Sequence, residues 1–112
     1  NEMTKTLARV AKSGMEVIII MPHIPDKPYA FAVAKTFYKE LIEAGVQIYE
    51  YTPGFIHQKQ TLCDGETATV GTINFDYRSL YHHFEMVCCC MAAGRSMPLE
   101  RTLRRYLRCR AR

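Results

Sequence analysis

Tryptophan is absent from the 112 residues, and so is any uninterrupted apolar run approaching the ~18 residues a membrane-crossing helix needs. The opening residues also lack the basic-then-apolar order of a secretory signal. The five cysteines, Cys63, Cys88, Cys89, Cys90 and Cys109, are odd in number, and three are adjacent. That arrangement suits neither a disulfide framework nor a zinc site, which would need two or three residues between paired ligands. A reducing compartment is the expectation. With 48% hydrophobic, 23% charged and 11% aromatic residues, disordered, collagen-like and low-complexity architectures are excluded. The length suffices for one domain and is too short for a two-domain enzyme.

Positive charge is scarce where the chain is expected to fold. Residues 1–90 carry eight basic and ten acidic side chains, whereas 91–112 carry seven Arg, no Lys and one Glu. The formal charge of +4 therefore belongs to the C-terminal segment. A nucleic-acid-binding face should itself be basic, so no nucleic acid is expected as partner of the folded body.

Apolar residues at Leu7, Val10 and Ala11, closed by Ser13 and Gly14, predict a helix over about 3–13. The β-branched run 16–21, ending at Pro22, reads as a strand buried on both faces. Ala30, Val33, Ala34, Phe37, Tyr38 and Leu41 follow helical spacing up to Gly45, and Val46–Tyr51 alternates as a second strand. Strand, helix, strand predicts a parallel crossover. A segment around 57–62 and a run at 67–70 read as antiparallel strands joined at Asp64-Gly65, and 85–91 as a last apolar strand. The chain begins at Asn1 and becomes helical almost at once, which reads as a piece of something longer. Residues 1–92 are expected to form the folded domain. In 93–112, Leu99, Leu103, Tyr106 and Leu107 have helical spacing with Arg between them, so this segment reads either as a basic amphipathic helix or, given its abrupt change of composition, as an artefact of cloning or reading frame.

The residues with chemical potential form two clusters. His57 and Lys59, two apart on or beside one strand, bring a nucleophilic imidazole and an ammonium together, with Asp64 at the following turn. Gly71, Thr72, Asn74 and Ser79 combine close backbone approach with hydrogen-bond donors suited to a phosphate. Arg78 is a candidate to hold Asp76 or a phosphate, and His23 sits at a strand end where pockets form in open α/β sheets. His82 and His83 read as supporting or surface residues. Phe55, Tyr49, Tyr51, Phe75, Tyr77 and Tyr81 are candidates to line an apolar groove, although core packing explains about half of them equally well.

Taken together, the clusters spell His57-x-Lys59, four residues, Asp64, six residues, Gly71-Thr72, then Asn74. This pattern resembles the signature of the phospholipase D superfamily, HxK(x)4D(x)6G(G/S/T) followed by Asn. More narrowly, Ala44–Tyr51, Pro53–Lys59, Asn74–Leu80 and Phe84-Glu85 resemble the C-terminal catalytic half of the bacterial cardiolipin synthases. The resemblance covers about residues 4–87.

It implies an α/β fold, a phospholipase D-like mixed sheet flanked by helices in three αβα layers, here as an incomplete fragment of a two-motif enzyme. It implies a phosphatidyltransferase that works without metal or cofactor. One His attacks a phosphodiester phosphorus, a second His protonates the departing alkoxide, and His57 is the nucleophile or its counterpart. Lys59 and Asn74 would stabilise phosphoryl oxygens, a carboxylate near Glu85 would orient the ring, and Asp64 would serve in structural hydrogen bonding. The implied partners are phosphatidylglycerol or a related phospholipid and the other motif, from an N-terminal half or a second subunit. The parent would lie on the cytoplasmic side of the cell membrane, with the fragment itself soluble. This sequence holds a single His-x-Lys. Two other readings stand beside it: a homodimeric phospholipase D-like phosphodiesterase or nuclease, and, for the chain alone, a catalytically silent half-domain.

Overall fold

The computed structural model describes residues 2–91 and 98–108. Residues 1–56 form one compact unit and 57–108 a second.

In the first unit, α1 (Glu2–Lys12) buries Thr4 and Ala8 and packs on α3 (Tyr38–Glu43). Gly14 ends α1 with a positive φ of 93°, and its N–H reaches back to the Ala11 carbonyl. Leu41, Ala44 and Val46 complete the buried set. β1 (Ile18–Pro22) pairs in parallel with β2 (Gln47–Tyr51), Ile19 opposite Ile48 and Met21 opposite Glu50.

Two expectations need correction here. β1 is not buried on both faces: Ile18 is exposed and the other four residues are half-buried, because β2 is its one partner in a two-stranded sheet. The helical pattern after Pro28 is also not one helix but α2 (Pro28–Thr36) followed by α3. At the break the Thr36 hydroxyl donates to the Val33 carbonyl at 2.7 Å, and the Phe37 N–H bonds three residues back to Ala34. Such back-bonding by Thr competes with the helical ladder and tightens the turn.

In the second unit, β3 (Lys59–Cys63), β4 (Thr67–Gly71) and β5 (Val87–Met91) form an antiparallel sheet in that order. The β3–β4 turn carries positive φ at both central residues, 53° at Asp64 and 72° at Gly65, and the Glu66 N–H closes on the Cys63 carbonyl at 3.1 Å. These are the features of a type I′ hairpin turn, whose twist matches that of the strands. β5 is an edge strand with all five residues exposed, despite its apolar composition. Cys63, Cys88, Cys89 and Cys90 are free thiols. A short α4 (Tyr77–Tyr81) interrupts the segment between β4 and β5, and α5 spans Pro98–Arg108, where Arg104 meets Glu100 at 2.8 Å. Of the segment 93–112, residues 93–97 and 109–112, including Cys109, lie outside the described residues.

Parallel pairing in one unit, antiparallel pairing in the other and helices in both make this a mixed α/β fold. Among the described residues no helix is long and apolar enough to cross a membrane.

Candidate active site

His57, Lys59, Asp64, Asn74 and Glu85 all belong to the second unit, and its strand register sorts them. Lys59, Gly71 and Val87 form one cross-strand row at one end of the sheet. His57 lies two residues before that row, Thr72 and Asn74 follow Gly71, and Glu85 precedes Val87 by two residues. Chain segments bearing His57, Lys59, Asn74 and Glu85 thus converge on a single end. Asp64 stands in the turn at the opposite end, and β3 alone spans about 13 Å from Lys59 to Cys63 at ~3.3 Å per residue. There Asp64 accepts from the Cys63 thiol at 3.6 Å, and this carboxylate pushes the thiol pKa up.

His57 is exposed and precedes β3, while Lys59 is half-buried at its first position. The Lys59 ammonium donates to the His57 backbone carbonyl at 2.8 Å, so the cation is held beside the imidazole-bearing residue.

Gly71 is fixed by space rather than by backbone angle. A Cβ there would lie 2.1 Å from the Met86 carbonyl oxygen and 2.9 Å from the Val87 Cα, both backbone atoms of the neighbouring strand and its approach. Only glycine lets the chain pass this close. The next residue uses that proximity. The Thr72 N–H donates to the Met86 carbonyl at 2.9 Å, and the Thr72 hydroxyl accepts from the Met86 N–H at 3.0 Å while donating to the Glu85 carboxylate.

The Thr72 hydroxyl is the leading cause that holds the Glu85 carboxyl below the usual carboxylate range. Partial burial opposes it, and the Ser79 hydroxyl and His83 add to it. Ser79 is itself buried, and its hydroxyl accepts from the Asn74 amide at 3.5 Å. Asp76 is the N-cap of α4, accepting from the Ser79 N–H at 2.7 Å. An Asp directly before the first helical residue is a capping signal legible in the sequence, although our reading of 71–79 contains no helix.

The Arg78 Nε–H donates to His83 Nε2 at 2.8 Å rather than to Asp76. The other nitrogen of His83 stands 3.6 Å from Glu85 Oε1. His82 turns elsewhere, with its ring edge-on to Tyr77 at 5.1 Å. Phe55, Phe75, Tyr77 and Tyr81 are all exposed, and the Tyr77 and Tyr81 rings lie 4.7 Å apart.

The first unit carries a separate charged cluster. His23 Nδ1 meets Glu50 Oε2 at 3.0 Å, and Lys35 meets the other carboxylate oxygen at 3.4 Å. The His23 hydrogen bond, followed by Lys35, lowers the Glu50 pKa against the opposing effect of burial. Beside it, the Tyr38 hydroxyl is buried without a hydrogen-bond partner. Burial, and then the charge of Glu50, push its pKa up to about 12.

One end of the antiparallel sheet therefore combines an imidazole, an ammonium, an amide and hydroxyl donors with a restrained carboxylate. These are the components of acyl- or phosphoryl-type transfer, in which a nucleophile attacks and donors stabilise the developing negative charge. The family described as cardiolipin synthase, phospholipase D-like domain, matches residues 1–107, and this chain belongs to it. An uncharacterized protein of Streptococcus mutans is 56% identical over 85 residues, 76% of this chain and 18% of that protein. A cardiolipin synthase of Geobacillus sp. is 44% identical and one of Halalkalibacterium halodurans 42%, each over 76% of this chain and 17% of the relative. The chain thus spans about a sixth of the length of the curated relatives it matches.

Proposed function

We propose that this chain supplies half of the active site of a phospholipase D-type phosphatidyltransferase, a cardiolipin synthase. His57 acts as nucleophile or as the acid/base counterpart of a second His. In the first step an imidazole nitrogen bonds to the phosphorus of phosphatidylglycerol as the P–O bond to glycerol breaks, and the partner imidazole protonates the departing glycerol oxygen. In the second step a hydroxyl of another phosphatidylglycerol gives its proton to that partner and attacks phosphorus. The P–N bond breaks, leaving cardiolipin and the free His. Lys59 and Asn74 stabilise the phosphoryl oxygens, Glu85 orients the ring, and Asp64 holds the hairpin turn. The second motif comes from an N-terminal half or another subunit, with the site facing the cytoplasmic side of the membrane.

The observation that carries this reading is the full His57-x-Lys59 to Asn74 pattern in a chain belonging to this family, with His57, Lys59, Asn74 and Glu85 gathered at one sheet end. The single His-x-Lys makes the chain on its own catalytically silent. The test is product analysis with phosphatidylglycerol vesicles and the longer protein that contains this segment. Release of glycerol in step with cardiolipin is the expected outcome. Hydrolysis without transfer, or cleavage of DNA that fades at high salt, would replace this reading with a phosphodiesterase.

A further inference from the structure

Neither Arg78 nor His83 belongs to the His57-to-Asn74 pattern, yet the two make a directed path to Glu85. Both lie in one local frame, because the backbone N–H groups of His82 and His83 bond the Arg78 carbonyl at 2.9 and 3.0 Å, folding the end of α4 back on itself. Within that frame the Arg78 Nε–H has no option but to donate, since guanidinium has no acceptor. His83 Nε2, 2.8 Å away, must therefore offer its lone pair, which leaves the ring proton on Nδ1. Nδ1 is the nitrogen that faces Glu85 Oε1 at 3.6 Å. Glu85 Oε2 is taken by Thr72.

We propose that Arg78 and His83 are positioning residues for this site: Arg78 fixes His83 in its Nδ1–H tautomer, and that tautomer turns a donor toward Glu85 Oε1, 3.6 Å away and beyond hydrogen-bond length, while Thr72 bonds the other carboxylate oxygen. Arg78 from α4 and Glu85 from the approach to β5 are charged groups that meet the His83 ring. From the proposed function the inference takes only that Glu85 belongs to the site.

The test is nitrogen-15 NMR of the His83 ring in the chain itself, which needs no activity and so is independent of the phosphatidyltransferase reading. At mildly alkaline pH, wild type should show the Nδ1–H tautomer, whereas free imidazole side chains favour Nε2–H. Arg78→Met should move His83 toward Nε2–H. It should also raise the pH at which the Glu85 carboxyl carbon titrates. His83→Gln, which can accept from Arg78 and donate to Glu85 at once, should keep that carboxyl titrating low, while His83→Leu should not. A predominant Nε2–H form in wild type, or an Arg78→Met spectrum unchanged at His83 and Glu85, would overturn the inference. In the longer protein, His83→Leu should lower kcat more than it raises KM, with most of the loss recovered by His83→Gln. Confirmed tautomers with no effect on kcat would instead remove Glu85 from the catalytic machinery.

Discussion

The two units are held together by different means. Residues 1–56 bury Thr4, Ala8, Leu41, Ala44 and Val46 around a single parallel strand pair, and their charged cluster of His23, Lys35 and Glu50 lies apart from that set. Among the described residues of 57–108 only Ala68 and Ser79 are buried to the same degree. Order there comes from two antiparallel ladders and from side chains that bond the backbone of the segments they meet: Asp76 with Ser79, and Thr72 with Met86. The unit with the candidate site therefore depends on polar geometry more than on apolar area. Such geometry is directional and can hold a reacting group in place, but it tolerates little displacement.

The largest break in that contrast should come from Gly71→Ala. The added methyl meets backbone and not a flexible side chain, so β5 and its approach must move, at a cost of about 3 kcal/mol or more. Hydrogen exchange should report lost protection in β4 and β5 while β1 and β2 stay protected. Uniform loss across both units would show that they unfold together. Leu41→Ala is the counterpart in the first unit, where a cavity at a buried leucine costs about 2–4 kcal/mol. Its exchange pattern should be the reverse.

A smaller effect is expected from acid. Glu50 and Glu85 both have folded pKa values below the ordinary 4.5, so the stability they contribute is complete above that value. It drains away as pH falls through their lowered folded values. Thermal unfolding followed from pH 6 downward should show Tm falling below about pH 4.5, with Glu50→Gln removing part of the slope. The smallest effect belongs to Tyr38→Phe. Deleting a buried hydroxyl that lacks a partner should leave Tm unchanged or raise it, by up to about 1 kcal/mol of stability. A clear loss would mean that the hydroxyl is bonded in solution.

These features differ in how far the sequence discloses them. Period and punctuation carry α1, the β1–β2 pair and the Asp64-Gly65 hairpin, because each follows from local backbone preference. The motif spacing identifies which residues to watch, but not that Asp64 stands a strand's length from the others. That separation depends on register, which sets Lys59 opposite Gly71. The break at Phe37 escaped the pattern because the apolar stripe continues across it, and the Thr36 back-bond leaves hydrophobic spacing unchanged. α4 and the Arg78–His83–Glu85 path escaped it for a related reason. Arg78 meets His83 only where the chain turns back at His82 and His83, a local geometry that hydrophobic spacing does not encode. The burial assigned to β1 failed because apolar composition alone does not say how many neighbours a strand will have.

Within the site, Lys59→Ala should reduce turnover by about a hundredfold to a thousandfold with the fold intact, as for loss of a donor to a developing oxyanion. The most direct test of the central claim is the rate of glycerol release from phosphatidylglycerol by the longer protein and its His57→Ala variant, with circular dichroism confirming that both are folded. The account predicts a loss of about a thousandfold or more, since either role of His57, nucleophile or proton donor, is then missing. Release at a near-normal rate by folded His57→Ala would contradict it.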